Sequence, residues 1–427
     1  MALTVAATVA LVAPPATAST ETWTPDRSRS VSLDAITSGL TDQKPQPPKA
    51  VGPVAAAQPD CSTVRANLAG YARSGARQVL CRDDAPIPEV GQRSGADGTL
   101  AAWCSGAAPR TVWVTRNAAC VHGLLSNWSV VQVPNGAVLG TATFEISHEI
   151  DLFPTRVDVE DNTAVTLISS TGVLTSPTAT LTATCSSPCG TSDGTGFTLE
   201  TFTRGETEDA FFRYSGEAAI NKAIFFSTSY TLTVQPPPGT TPLGPGTWRL
   251  SDNLFRCDDL VSSFRGCVIP MFVPEVPVSV STHQAAAIGI LVAQYNLPDG
   301  FGRTVPLNRL ADENAAEANR RKICEDGTWV TRPDVRDDSC DEYAFARARQ
   351  SGGFLGLTGK DCAEVMPWFN SDDGQWYYEA IRMTGKERCL RAHVPLDQNS
   401  LVGSTLGVVT NDARLIDGDP YWVVVYN

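Results

Sequence analysis

From Thr141 to Leu152 apolar and polar residues alternate. Phe144, Ile146, His148, Ile150 and Leu152 fall on one side, and Glu145, Ser147, Glu149 and Asp151 on the other. A period of two over that length predicts a strand with one buried face. Residues 164–168, 178–184 and 224–234 are rich in Thr, Val and aromatic side chains and predict further strands. Packing them as an antiparallel sandwich is the simplest way to bury their apolar sides. Pro236-Pro237-Pro238-Gly239, leading to Gly246, breaks the pattern and is expected to end the β-rich region.

The period changes after Asn308. Residues 310–320 are Ala-rich, acidic early and basic late, which favours a helix whose dipole those charges complement. A second helix is expected to start at Asp341-Glu342 and run through Arg349. Two apolar runs follow, 401–409 and 421–426, and Gly418-Asp419-Pro420 turns into the second, which reads as a buried strand. At the other end, residues 1–18 are small and apolar and finish in Ala16-Thr17-Ala18, the pattern of a signal peptide. Residues 19–58, rich in Pro, Ser and Thr, read as an unfolded linker or pro-segment. Residues 59–245 then form a Cys-bearing β-rich region, 246–299 a connector holding a Cys257/Cys267 loop, and 300–427 a separate domain. No run approaches 18 uninterrupted apolar residues, so no transmembrane helix is expected.

Twelve cysteines fall as neighbours: 61/81, 104/120, 185/189, 257/267, 324/340 and 362/389. In an exported chain this reads as six local disulfides, with connectivity left open by sequence alone. The four histidines do not stand at zinc-ligand spacing from any cysteine pair. The net charge is −13, and from Gly300 onward 15 Lys and Arg face 20 Asp and Glu. Broad attraction to nucleic acid or to an anionic membrane is therefore excluded, and any chemistry on a polyanion must rest on a focused site.

Three elements of the last third occur in a telling order. They are Cys340-Asp341-Glu342-Tyr343-Ala344-Phe345-Ala346, then Val394-Pro395 running to Asn399, then Gly403-Ser404 followed by Asp417-Gly418-Asp419 and a final apolar run. This order resembles the C-terminal domain of the NucA/NucB deoxyribonuclease family, in its long secreted actinobacterial form. The resemblance covers residues 300–427 and implies a disulfide-stapled α+β nuclease-like domain behind the β-rich region. It also implies a secreted enzyme that hydrolyses DNA phosphodiester bonds with Mg²⁺ or Mn²⁺. Two positions depart from the family pattern: Ala344 replaces a proline, and Gln350 stands near a position that is commonly acidic.

Phosphodiester hydrolysis needs an activated water and stabilisation of charge on the phosphate oxygens, and a divalent cation supplies both. Hard cations take oxygen ligands, so Asp341 and Glu342 are the expected metal ligands, with Asn399 assisting. His393, the only histidine of residues 300–427, is the natural general base. Arg391 and Arg347 are the expected phosphate clamps, with Ser404 beside them. Cys324, Cys340, Cys362 and Cys389 are expected to staple the domain. Purely structural readings stand beside these: acids at a helix start, a packed His393, Asn399 in a turn, Tyr343 and Phe345 as core anchors. His148, on the apolar side of its strand, reads as a satisfied core histidine. The alternative to a nuclease is an extracellular binding or structural protein whose nuclease-like domain is catalytically impaired, with a cell-envelope or glycan ligand on its β-rich region.

Overall fold

The computed structural model describes residues 30–44, 46–57, 60–83, 104 and 108–427. The expected signal peptide lies outside them. The chain runs through β1 (Ser30–Ser32), α1 (Asp34–Thr37), β2 (Lys49–Pro53), β3 (Ala55–Ala57), α2 (Cys61–Ala66), α3 (Leu68–Arg73) and β4 (Gln78–Asp83). Next come β5 (Thr111–Val114), β6 (Ala118–Gln132), β7 (Val138–Leu152), β8 (Asp158–Gly172), β9 (Thr178–Cys185) and β10 (Gly190–Thr195). After them lie β11 (Glu200–Thr201), β12 (Thr207–Ser215), β13 (Ala223–Phe226), β14 (Thr228–Val234), β15 (Thr240–Pro242), β16 (Gly246–Arg249), β17 (Phe255–Asp258) and β18 (Gly266–Val268).

One sheet has the order β10-β12-β8-β7-β6-β4-β15, with β5 on β6 and β2 on β5; a second has the order β11-β9-β14-β16-β3. They share one apolar core, to which β7 gives Phe144 and Ile146, β9 gives Leu181, β14 gives Tyr230 and β16 gives Trp248. The alternation from 141 to 152 is realised in β7, whose Phe144, Ile146, His148 and Ile150 are all fully buried. His148 is satisfied there. Trp248 Nε1 donates to its Nε2 at 3.0 Å, which leaves the ring proton on Nδ1, facing Asp161 at 3.2 Å.

A second core lies towards the C-terminus. Its elements are β19 (Glu275–Ser279), α4 (Val280–Asn296), β20 (Leu307–Asn308), α5 (Glu313–Cys324), β21 (Asp338–Tyr343), β22 (Ala363–Asn370), β23 (Gln375–Arg382), β24 (Leu390–Pro395), α6 (Leu396–Asp412) and β25 (Pro420–Tyr426). A five-stranded sheet of order β1-β23-β22-β24-β21 lies on one side of α4, and a three-stranded sheet of order β19-β25-β20 also packs on that helix. Helix α4 is buried almost continuously from Ala285 to Gln294, so it has no amphipathic period to announce it.

Three expectations change, and the apolar run 401–409 takes a form the sequence left open. Residues 30–57 are not an unfolded linker. β1 pairs with β23, Leu33 enters the C-terminal core, and β2 and β3 join the two β-rich sheets. Residues 246–299 are not a connector, because β16 pairs with β14 in the second β-rich sheet and β19 and α4 belong to the C-terminal core. Asp341-Glu342 does not begin a helix. Residues 338–343 pair one for one with β24, and that ladder overrides the local preference of acids for a helix start. Residues 401–409 lie in α6.

The two cores meet at a buried ionic cluster. Asp419 receives Arg116 at 3.1 Å and Arg256 at 2.7 Å, and Asp258 receives Arg414 at 2.6 Å. Arg256 Nη2 also donates to the Arg414 carbonyl. All six neighbour pairs of cysteines are disulfides. No helix among the described residues is long and apolar enough to cross a membrane. Six disulfides fit an extracellular protein.

Candidate functional site

The β21–β24 register sets Cys340 opposite His393, Asp341 opposite Ala392 and Glu342 opposite Arg391. Successive side chains of a strand point to opposite sides. Asp338, Cys340 and Glu342 therefore share a face with Arg391 and His393, and Ser339, Asp341 and Tyr343 take the other. The expected site residues are divided by the thickness of a sheet.

The first face lies under α5 and the loop that follows it. His393 is 1% exposed; its Nδ1 is 2.8 Å from Asp338 Oδ2 and its Nε2 is 3.3 Å from Glu364 Oε1. The Trp329 ring stacks on it with centroids 3.8 Å apart. Burial disfavours the charged ring, but the hydrogen bonds to Asp338 and Glu364 outweigh it and raise the His393 pKa. Burial likewise works against Glu364, yet hydrogen bonds from His393 and Arg391 bring its carboxyl down to about 2. An imidazole facing carboxylates at both nitrogens can donate from both, and that arrangement favours its protonated form. The expected general base has no free nitrogen with which to accept a proton.

Arg391 is fully buried, bonded to Glu364 at 2.7 and 3.0 Å and to the Ile323 carbonyl at 3.0 Å. Gly359 makes room for it, since a Cβ there would stand 2.1 Å from Arg391 Nη1. So placed, Arg391 braces the core and offers no face to a phosphate. Glu342 leans on the Cys324–Cys340 disulfide, with Sγ of Cys324 at 3.6 Å and Arg320 Nε at 3.8 Å. Burial raises its pKa to about 7, against the pull of Arg320. Cys324, Cys340 and Glu342 cluster closely enough to ligate a metal, but both sulfurs are committed to the disulfide.

The opposite face is packed by α4 and α6. Tyr343 donates to the Phe301 carbonyl at 2.8 Å and accepts from Gln294 of α4, which makes it the core anchor expected. Asn399, in the first turn of α6, donates from Nδ2 to Ser339 Oγ and to the Cys340 carbonyl, each at 3.2 Å. Its Oδ1 is left uncommitted. Between these two lies Asp341, 7% exposed, whose carboxylate has neither a hydrogen bond nor an ion pair among the described residues. Burial, reinforced by the Glu342 charge, raises its pKa well above the usual carboxylate range.

The remaining expected residues lie elsewhere. Arg347 pairs with Glu313 at the surface at 2.6 Å, and Ser404 donates to the Ser400 carbonyl within α6. Gln350 is tied to Asn308 through both ends of its amide, at 2.8 and 2.9 Å. Asp338, Glu364 and Trp329 were not anticipated. Asp338 and Glu364 each lie two residues from a cysteine, and nothing local distinguishes them from solvated acids. Comparison with protein-family models, with curated proteins and with solved structures finds no match for this chain.

Proposed function

We propose that the protein is a secreted metal-dependent deoxyribonuclease whose chemistry is centred on Asp341 and Asn399. The observation that carries this reading is the recessed, unpaired Asp341 carboxylate. Burying a charge without a partner costs stability, and such groups concentrate where a protein uses them. The resemblance of residues 300–427 to NucA/NucB deoxyribonucleases supplies the reaction class.

The donors fit a hard divalent cation, because the Asp341 carboxylate and Asn399 Oδ1 are uncommitted oxygens on one face of β21. A bound Mg²⁺ or Mn²⁺ would supply Lewis-acid stabilisation of the phosphate oxygens. Asn399 keeps its oxygen oriented by spending both amide protons on β21. Burial, with the Glu342 charge, raises the Asp341 pKa, and a bound cation would hold the carboxylate in its ionised form. Glu342, raised to about 7 on the other face, sets part of that shift through its charge. His393 and Arg391 hold the strand pair that presents Asp341.

Purified protein should nick plasmid DNA with Mg²⁺ or Mn²⁺ and stop in EDTA, and Asp341→Asn should abolish nicking without lowering thermal stability. Nicking that survives Asp341→Asn removes this residue from the chemistry. No nicking with either metal across a range of pH sinks the enzymatic reading. One observation favours the second reading, an extracellular binding protein with an impaired nuclease-like domain: Gln350 is locked to Asn308 and supplies an amide, not a carboxylate.

A further inference from the structure

We infer that a cavity at the start of α4 is a stacking pocket for an unpaired nucleobase. The choice of ligand rests on the nuclease reading. The cavity measures about 410 Å³ and is lined by Val280, Ser281 and Gln284 of α4, Phe369 and Trp376 of the β22–β23 hairpin, and Asn427. That volume falls in the ~300–1,000 Å³ range of small-molecule sites.

Phe369 and Trp376 are directly opposed across the hairpin, with ring centroids 5.3 Å apart. Phe369 is 51% exposed, an expensive position for an apolar ring whose ring contact is the tilted Trp376. The polar wall opposite is held by strain. Gln284 interrupts α4 at φ +44° and ψ −119°, a setting that side-chain-bearing residues rarely adopt. It is locked there by Gln398, whose Nε2 donates to Gln284 Oε1 and whose Oε1 accepts from Ala285 N, both at 2.9 Å. Gln284 Nε2 remains as a donor. Asn427 Nδ2 donates to the Leu40 carbonyl at 2.8 Å, which leaves its Oδ1 as an acceptor. A flat π-face with one donor and one acceptor at the rim matches the face and edge of a base.

Position and charge point the same way. Gln398, which holds Gln284, precedes Asn399 in α6, so the support of the pocket wall and the proposed site lie in one helical turn. With a net charge of −13 the chain gains little from phosphate attraction. Affinity for DNA must then come from base contacts, and aromatic rings supply them at any sequence. Stacking on these rings needs a base whose face is free, and bases within a duplex are stacked on their neighbours, so single-stranded or frayed DNA is the substrate class implied. A sugar ring would also stack, but the lining carries no carboxylate side chain to bind its hydroxyl groups.

The test is fluorescence anisotropy of a labelled oligothymidylate with the full chain in EDTA, where cleavage is blocked. Wild type should bind the single strand with a shallow salt dependence and bind a blunt duplex more weakly. Phe369→Ala should weaken single-strand binding about tenfold, and Phe369→Tyr should restore it. Equal binding by wild type and Phe369→Ala, no binding by wild type, or displacement by a neutral oligosaccharide overturns the proposal. If Phe369→Ala loses binding while no metal supports nicking, the pocket stands and the catalytic reading falls. If nicking proceeds while Phe369→Ala binds normally, the pocket alone falls.

Discussion

Replacing Asp419 with Asn tests the junction between the two cores. Three guanidiniums, Arg116, Arg256 and Arg414, meet two carboxylates there, Asp258 and Asp419. The side chains are 7%, 1%, 0%, 0% and 14% exposed in that order, so water screens them little. Arg116 is already under pressure: burial, with Arg256 beside it, lowers its pKa to about 10. Among the described residues, Asp419→Asn removes the one carboxylate paired with Arg116 and one of the two paired with Arg256. Breaking a buried pair from one side costs about 3–5 kcal/mol, mostly because the remaining charge is stranded. Against a usual stability of about 5–15 kcal/mol, that is a large loss.

Urea denaturation with disulfides intact, followed by tryptophan fluorescence and far-UV dichroism, measures it. Asp419→Asn should lower the unfolding free energy by that amount, seen as a midpoint shift of that energy divided by m, and separate the two probes, because the cores would no longer unfold together. The control is Glu313→Gln. The Glu313–Arg347 pair is short at 2.6 Å, yet its side chains are 82% and 42% exposed, so its loss should cost under ~1 kcal/mol. If Asp419→Asn costs no more than Glu313→Gln, the cluster does not hold the cores together and the reasoning fails.

Other outcomes follow from the same accounting. His393 has a raised folded pKa, so its stabilisation is complete below its unfolded value near 6.5 and is lost as pH rises through the folded value. His393→Gln should flatten that alkaline slope, and an unchanged slope would show that the Asp338 and Glu364 contacts are not ionic. Asp341 runs the other way: its raised pKa makes wild type lose stability as pH climbs from about 3.8, so Asp341→Asn should melt higher than wild type at pH 7 and alike in acid. Replacing Cys324 and Cys340 together by Ala opens a loop of sequence separation 16, a loss of about 3 kcal/mol read from the denaturation midpoint.

What could be read beforehand depended on whether the signal was local. The β7 strand was legible because Phe144 to Leu152 alternate against a one-sided core. The six disulfides were legible because each pair of cysteines lies close in sequence. Helix α4 was not, because it is buried on every side and its residues carry no period. The pairing of β1 with β23 was invisible too, since Ser30–Ser32 meets Glu379–Tyr377 across more than half the chain. At the site, residue types were legible but faces were not. Asp341 and Glu342 look equivalent in sequence, and a strand sends them to opposite sides. His393 looked like a free base because its partners, Asp338 and Glu364, are contributed by other strands.

The same non-locality decides what part of the chain can fold alone. A fragment of residues 300–427, the span of the family resemblance, would lack β19, α4 and β1. Helix α4 contributes eleven buried residues. Among them Ile288, Ile290, Leu291 and Val292 are each worth about 1.5–3 kcal/mol of burial, and together they rival the whole stability of a domain. β25 would keep only the two-residue contact with β20, having lost its five-residue parallel pairing with β19. The 300–427 fragment should therefore show no cooperative unfolding by dichroism. A fragment starting at Val273 regains β19 and α4 and should unfold cooperatively, though weakened, since its Asp419 and Arg414 would have lost Arg116, Arg256 and Asp258. Cooperative unfolding of the shorter fragment would mean that α4 is an addition to the domain and not its core.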